Sequence, residues 1–322
     1  MFNYRLLLIL LFSMAPCALA QDNQATLDQH GEGNAATVIQ GGSSNQSKVT
    51  QYGDRQTAVT RQNGVGLGAT IHQTGKNNMG IQDQSGLNSV VYIQQTNQAF
   101  TQNHNFARQE QQDAHYSKAE GYQVLTESLP QSIENSDPNE PDSDSSSPYE
   151  RHRDRFAAKG ASANAGQILI QKQEGDFNRA YAYQEGNRNI AEIHQKGEGN
   201  NTSHTNLGIT YQIGYDNYAY LLEEGQGIKA GIYQQGNSNE AYLLVNKSTY
   251  NYTISYDEYN TADYVTDTLT PLTYQIYQIG NDHQLTITEN SVTPRVQSVR
   301  VTQGNIMEAG PFLTQFQAQF QP

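Results

Sequence analysis

The stretch QYGDRQTAVTRQNGVGLGATIHQTG, residues 51–75, places glutamine at Gln51, Gln62 and Gln73, with glycine two residues after each at Gly53, Gly64 and Gly75. The step of eleven extends outward in both directions. Gln29, Gln40, Gln84 and Gln95 keep it, with Gly31, Gly42 and Gly86. It resumes at Gln173, Gln184 and Gln195 with Gly175, Gly186 and Gly197. After a further insertion it returns at Gln212, Glu223 and Gln234 with Gly214, Gly225 and Gly236. A fixed period of this kind marks a repeat architecture.

An eleven-residue period also suits a right-handed coiled coil. Glycine in every unit excludes it, at about 1 kcal/mol each in a helix interior, and there is no apolar heptad stripe. Inside each unit the alternation has period two. Asn34-Ala36-Val38-Gln40, Asn45-Ser47-Val49-Gln51, Leu67-Ala69-Ile71-Gln73, Asn189-Ala191-Ile193-Gln195 and Asn217-Ala219-Leu221-Glu223 take alternate positions. Alternate residues of a strand share a face. One face of each strand therefore reads Asn, small, aliphatic, Gln, and the Gly-x-x segment supplies the turn, where glycine takes positive φ without a steric penalty.

The expected fold class is all-β. It is a β-solenoid, or cross-β stack, of eleven-residue strand–turn units, two per layer. Stacking puts equivalent amides above one another, so that they hydrogen-bond along the axis as in the Asn/Gln ladders of cross-β structure. The expected ladder comprises Gln29, Asn34, Gln40, Asn45, Gln51, Gln62, Gln73, Gln84 and Gln95 in a first array. In a second it comprises Gln173, Asn178, Gln184, Asn189, Gln195, Asn200, Gln212, Asn217, Gln234 and Asn239. One layer buries little, so stability must come from stacked neighbours.

The chain has 322 residues, no Trp, a mean hydropathy of −0.74 and a formal charge of −13. That charge argues against a nucleic-acid or anionic-membrane partner. Residues 1–20 read as a signal peptide: Arg5, the apolar run Leu6 to Phe12, then Ala18-Leu19-Ala20. The single cysteine, Cys17, falls inside it, so the exported chain is expected to form no disulfide. Residues 21–107 form the first array. Residues 108–162 read as a disordered acidic linker, because LTESLPQSIENSDPNEPDSDSSSPYE cannot offset its chain entropy by burial. Residues 163–245 form the second array. Residues 246–322 are a degenerate Tyr-rich β region with one clear unit at Gln278-Ile279-Gly280, and the ending FLTQFQAQFQP matches no repeat. Tyr181, Tyr183, Tyr218, Tyr220, Tyr233 and Tyr242 fall on the face opposite the ladder and predict exposed aromatic rows. The first array carries Thr37, Lys48, Arg61 and His72 there.

The motif Q-x-G-x-x-N-x-A/S-x-x-x-Q, as in QHGEGNAATVIQ (29–40), QEGNRNIAEIHQ (184–195) and QQGNSNEAYLLV (234–245), resembles the repeat of the curlins, the subunits of bacterial curli fibres. The resemblance covers about half the chain in two blocks. It implies a β-solenoid that assembles end to end into functional amyloid on the cell surface, supporting adhesion and biofilm. It also implies other curlin subunits and a curli-type outer-membrane secretion apparatus as partners. The chain departs from familiar curlins in its length and its acidic linker, and the first repeat begins soon after the predicted cleavage site.

No G-x-S-x-G, H-E-x-x-H, Walker or C-x-x-C motif occurs, and the histidines lack ligand spacing. No catalytic, cofactor-binding or metal-binding residue is expected. Two alternatives remain on sequence grounds. One is a non-fibrillar adhesin or ice-binding solenoid; the other is a β-helical polysaccharide-degrading enzyme, which needs carboxylates clustered across layers.

Overall fold

The structure is a computed structural model. It describes residues 9–10, 22–97, 104–125, 165–197, 205–225, 227–246, 255–256, 262–263, 272–280, 283–290, 298–304, 312–318 and 320. Of the expected signal peptide, all but Ile9–Leu10 lies outside these residues. So do residues 126–162 of the expected linker and residues 163–164 of the expected second array.

Two ten-stranded parallel sheets face each other. The first sheet runs, in order, through Ile9–Leu10, Ala35–Ser43, Thr57–Val65, Met79–Leu87, His104–His115, Ala165–Glu174, Asn189–Lys196, Tyr218–Glu224, Glu240–Asn246 and Gln284–Asn290. The second runs through Gln24–His30, Gln46–Asp54, Gly68–Lys76, Val90–Asn97, Lys118–Leu125, Asn178–Asn187, Asn206–Tyr215, Ile228–Asn237, Leu272–Ile279 and Ser298–Gln303. Successive strands alternate between the sheets, and each pairs in parallel with strands two places away. This is a β-solenoid with two strands per layer. Ser255–Tyr256 and Ala262–Asp263 pair separately as a short antiparallel ribbon.

One expectation about organisation changes: residues 108–125, assigned to the linker, continue the stack, His104–His115 pairing with Met79–Leu87 and Lys118–Leu125 with Val90–Asn97. Whether the two arrays join is open on sequence grounds; they are one solenoid, because Ala165–Glu174 pairs directly with His104–His115, and Asn178–Asn187 with Lys118–Leu125. The Tyr-rich β region after residue 245 extends the same stack. Leu272–Ile279, Gln284–Asn290 and Ser298–Gln303 add further strands in register.

The interior is thin. Its columns follow the small and aliphatic positions of the repeat: Ser47, Ala69, Val91, Ala119 and Ala180 in one sheet, Ala36, Ala58, Ala107, Ala191 and Ala219 in the other. Beside them run Val49, Ile71, Ile93, Ile193, Leu221 and Leu243, all buried. Large and small residues compensate across the gap. A Cβ on Gly121 would collide with the Leu169 side chain of the facing sheet, so glycine in one wall makes room for leucine in the other.

Candidate assembly interface: the buried amide ladders

The glutamine columns form two rows of hydrogen bonds along the axis. In the second sheet each amide donates its Nε2 to the Oε1 of the next layer. The row is Gln29 to Gln51 (2.6 Å), Gln73 (2.8 Å), Gln95 (2.7 Å), Gln123 (2.8 Å), Gln184 (2.9 Å), Gln212 (2.8 Å), Gln234 (2.9 Å), Gln278 (2.7 Å) and Gln303 (2.8 Å). In the first sheet the row is Gln40 to Gln62 (2.9 Å), Gln84 (3.0 Å), Gln111 (3.0 Å), Gln173 (2.7 Å) and Gln195 (2.8 Å), ending on Glu223 Oε2 (2.8 Å). Most second amide protons go to backbone carbonyls of the facing sheet, as from Gln51 to Ala35 and from Gln184 to Ile168. Most of these glutamines therefore tie their layer to the next and one sheet to the other. Paired in this way, a buried amide avoids the roughly 1–3 kcal/mol cost of an unmade hydrogen bond.

Sequence reasoning missed four members of these rows: Gln111, Gln123, Gln278 as a ladder residue, and Gln303. It also missed a short inner row, in which Gln82 donates to Gln109 (3.1 Å) and Gln109 to Gln171 (2.6 Å). The period breaks between Gln95 and Gln123, where insertions shift the phase.

The asparagines add a second task to the axial bonding their spacing suggests. Asn34 Nδ2 donates to the His30 carbonyl (3.0 Å) in its own turn and to the Gly53 carbonyl (2.8 Å) one layer on. Asn45 does the same with Gly41 and Gly64, and Asn189 with Glu185 and Gly214. Their Oδ1 atoms accept backbone N–H groups of the following layer, Gln56 for Asn34 and Leu67 for Asn45. They staple turns together. Among the described residues, direct contact between asparagine amides appears where the column repeats asparagine, as in Asn206 to Asn178 (3.0 Å), Asn217 to Asn189 (3.1 Å) and Asn239 to Asn217 (3.0 Å). Asn200 lies outside the described residues.

The turn glycines answer to sterics twice over. Eleven of the twelve have φ between 87° and 157°, Gly64 being the exception. A Cβ on Gly31, Gly42, Gly53, Gly64 or Gly186 would also lie inside van der Waals contact of the carbonyl oxygen at the equivalent position of the next layer. Two residues further on, eleven of the twelve turns use a second left-handed residue: Gly33, Ser44, Arg55, Gly66, Asn77, Asn88, Phe177, Arg188, Asp216, Gly227 and Ser238; the position after Gly197 lies outside the described residues. Glycine and asparagine recur there, which is the signal sequence reasoning passed over.

Two electrostatic features stand out. Glu223 occupies a glutamine position, fully buried, and desolvation raises its pKa to about 8 against the bonds it accepts from Gln195 and the Ala230 backbone. On the outer face of the first sheet, Arg61 meets Asp83 at 2.8 Å and Arg108 meets Glu110. Among the described residues no group of three or more His, Cys, Asp or Glu is placed to hold a metal ion, and no helix is long and apolar enough to cross a membrane.

The expected exposed tyrosine rows are not bare. Tyr218 and Tyr233 are fully buried, and Tyr181 and Tyr183 partly so. On the second sheet the cover is the tail that matched no repeat: helix Phe312–Ala318 seats Phe316 against Tyr211, Tyr233 and Tyr277. On the first sheet Tyr218 belongs to a buried cluster with Phe106, Ile168, Ile170 and Ile190.

This geometry defines a class: a β-solenoid of strand–turn repeats held by axial amide ladders. Within that class, the family model of the curlin associated repeat matches residues 20–53 and 172–201. In those two stretches the chain is similar to the curlin associated repeat. No curated protein and no solved structure matches it.

Proposed function

We propose that the chain is exported through its N-terminal signal peptide and assembles end to end into curli-like amyloid fibres at the bacterial surface. There it supports adhesion and the biofilm matrix. The observation that carries this reading is the polarity of the unbroken glutamine row in the second sheet. Gln29 donates inward to Gln51, which leaves its Oε1 toward the N-terminal edge. At the other end Gln303 accepts from Gln278 and holds an Nε2 toward the C-terminal edge, bonded to the Gln284 carbonyl. A second copy stacked on this edge would bring Gln29 over Gln303 and Ala25 and Leu27 over Val299 and Val301. Row and core would then continue across the junction.

Open strand edges recruit further strands. The only described cover on the N-terminal edge is the two-residue pairing of Ile9–Leu10 with Thr37–Val38, and the reading assigns those residues to the removed leader. Other curlin subunits are the natural heterologous partners, since their repeat presents the same amide and turn pattern. A curli-type outer-membrane apparatus is the expected export route.

The test is to release the chain from denaturant and follow thioflavin-T fluorescence and fibre diffraction. Reflections near 4.7 and 10 Å are expected from cross-β geometry. A chain that stays monomeric at high concentration would overturn the proposal.

A further inference from the structure

The outer face of the second sheet changes character along the axis. One column reads Thr50, His72 and Gln94, then Tyr122, Tyr183, Tyr211, Tyr233 and Tyr277. The early layers are polar and the later ones aromatic. With Tyr92 and Tyr181 of the neighbouring column, the rings touch continuously: Tyr92–Tyr122, Tyr122–Tyr181 and Tyr181–Tyr211 at 5.4 Å, then Tyr211–Tyr233 at 6.5 Å and Tyr233–Tyr277 at 6.4 Å.

The C-terminal segment covers this face where it is most aromatic, and it does so with three phenylalanines at i, i+4 and i+8. Phe312 stacks on Tyr183 at 4.9 Å. Phe316, fully buried, meets Tyr211, Tyr233 and Tyr277 at 5.5 to 5.7 Å, and Phe320 packs on Phe316 at 5.2 Å. Gly231 lies under the last two rings. A Cβ there would collide with both, so the sheet is recessed where the helix needs depth. Spacing of this kind is how an amphipathic helix reads a groove. The helix has seven residues and the segment no charged one, so alone in water it is too short to persist. Its order comes from the tyrosine face.

We propose that residues 312–320 form a releasable latch, and that the face beneath it is an interface for the same face of a second copy. The row is self-complementary in the way an isologous contact requires. It continues past the latch at Tyr122 and Tyr92, which remain partly exposed, so a seam for a second copy begins at the latch's edge. Face-to-face sheets pack about 10 Å apart, close enough for tyrosines to interdigitate once the helix leaves. Closed, the latch limits the solenoid to axial growth; open, it permits lateral pairing.

The proposal goes beyond the fibre reading and is testable without it. Gly231→Leu should eject the latch by filling its recess, because the glycine sits in an extended strand and points outward. Phe316→Ser should weaken it from the other side. In the full chain, both variants should keep the wild-type β-sheet circular dichroism yet gain dye binding to exposed apolar surface and sediment as a concentration-dependent dimer. If fibres form, their width should be about doubled, as two-fold pairing requires. A synthetic peptide of residues 309–322 added to the Phe316→Ser chain should reverse these changes, whereas the same peptide with serine at its three Phe positions should not. Unchanged sedimentation in both variants, or a peptide that fails to reverse the association, would overturn the latch. Wild type that never forms fibres would count against the fibre reading and leave the sedimentation test of the latch intact.

Discussion

Gln111 donates to Gln173 at 2.7 Å although 62 positions of chain separate them. That bond, with its counterpart from Gln123 to Gln184 at 2.9 Å, carries both ladders across the acidic interruption. It makes two arrays into one stack.

The unit boundary therefore lies at Leu125. A fragment ending at residue 107 cuts the strand His104–His115 and loses the rungs at Gln111 and Gln123, with the bonds from Gln84 to Gln111 and from Gln95 to Gln123. It also loses the strand pairing of a whole layer and the burial of Ala114, Ala119 and Leu125. Residues 21–125 should then unfold at a clearly higher denaturant concentration than residues 21–107. Equal midpoints would show that the layers of residues 104–125 add nothing.

A second expectation concerns the two left-handed positions of each turn. Gly53 has φ of 115°, and a Cβ there meets the Gly75 carbonyl. Gly53→Ala should cost about 1–3 kcal/mol or more from backbone strain, with the collision added. Arg55 has φ of 55° and an open side chain, so Arg55→Gly should change stability by less than about 1 kcal/mol, because lower strain offsets the greater entropy of the unfolded chain. Denaturant midpoints of the two variants check the contrast, and similar losses would contradict it.

Glu223 gives a dependence on pH. Burial raises its pKa from the ordinary 4.5 to about 8, so the folded chain holds a proton there that the unfolded chain releases. The stability tied to this proton is full below about 4.5, declines as pH rises toward about 8 and is flat above. Glu223→Gln should remove that slope and stabilise the chain most on the alkaline side, since an amide fits the ladder without ionising. Denaturant titrations across this range decide it. A variant whose slope matches wild type would mean that Glu223 is not the titrating group.

What was legible in the sequence followed the regularity of the stack. From Gln29 to Gln95 each layer has the same length, so spacing alone placed the rungs of the two main rows, the core columns and the turn glycines. Gln111 and Gln123 escaped because residues inserted before and after Gln111 shift the phase, while strand pairing restores register in space. Asn178, Asn189, Asn217 and Asn239 do bond along the axis, whereas Asn34 and Asn45 were placed correctly but misread. Their amides reach the turn carbonyls first, since Asn34 lies four residues after the His30 carbonyl that it binds. The tyrosine cover was hidden because it depends on a non-repeating tail docking from outside the stack. Its one sequence trace was the spacing of Phe312, Phe316 and Phe320.

The central claim is that the buried amides, rather than surface charge, hold and propagate the stack. Replacing Gln51, Gln62 and Gln73 together with alanine removes five axial amide bonds, those joining Gln29, Gln51, Gln73 and Gln95 and those joining Gln40, Gln62 and Gln84. Replacing Arg55, Arg61 and Lys76 with alanine removes only exposed groups and the surface pairs of Arg61 with Asp83 and Lys76 with Asp54, each worth at most about 1 kcal/mol. The decisive measurement is the elongation rate of each triple variant on wild-type fibre seeds. The account predicts that the glutamine variant loses elongation while the charge variant grows at close to the wild-type rate. Equal rates for the two, or a greater loss in the charge variant, would contradict it.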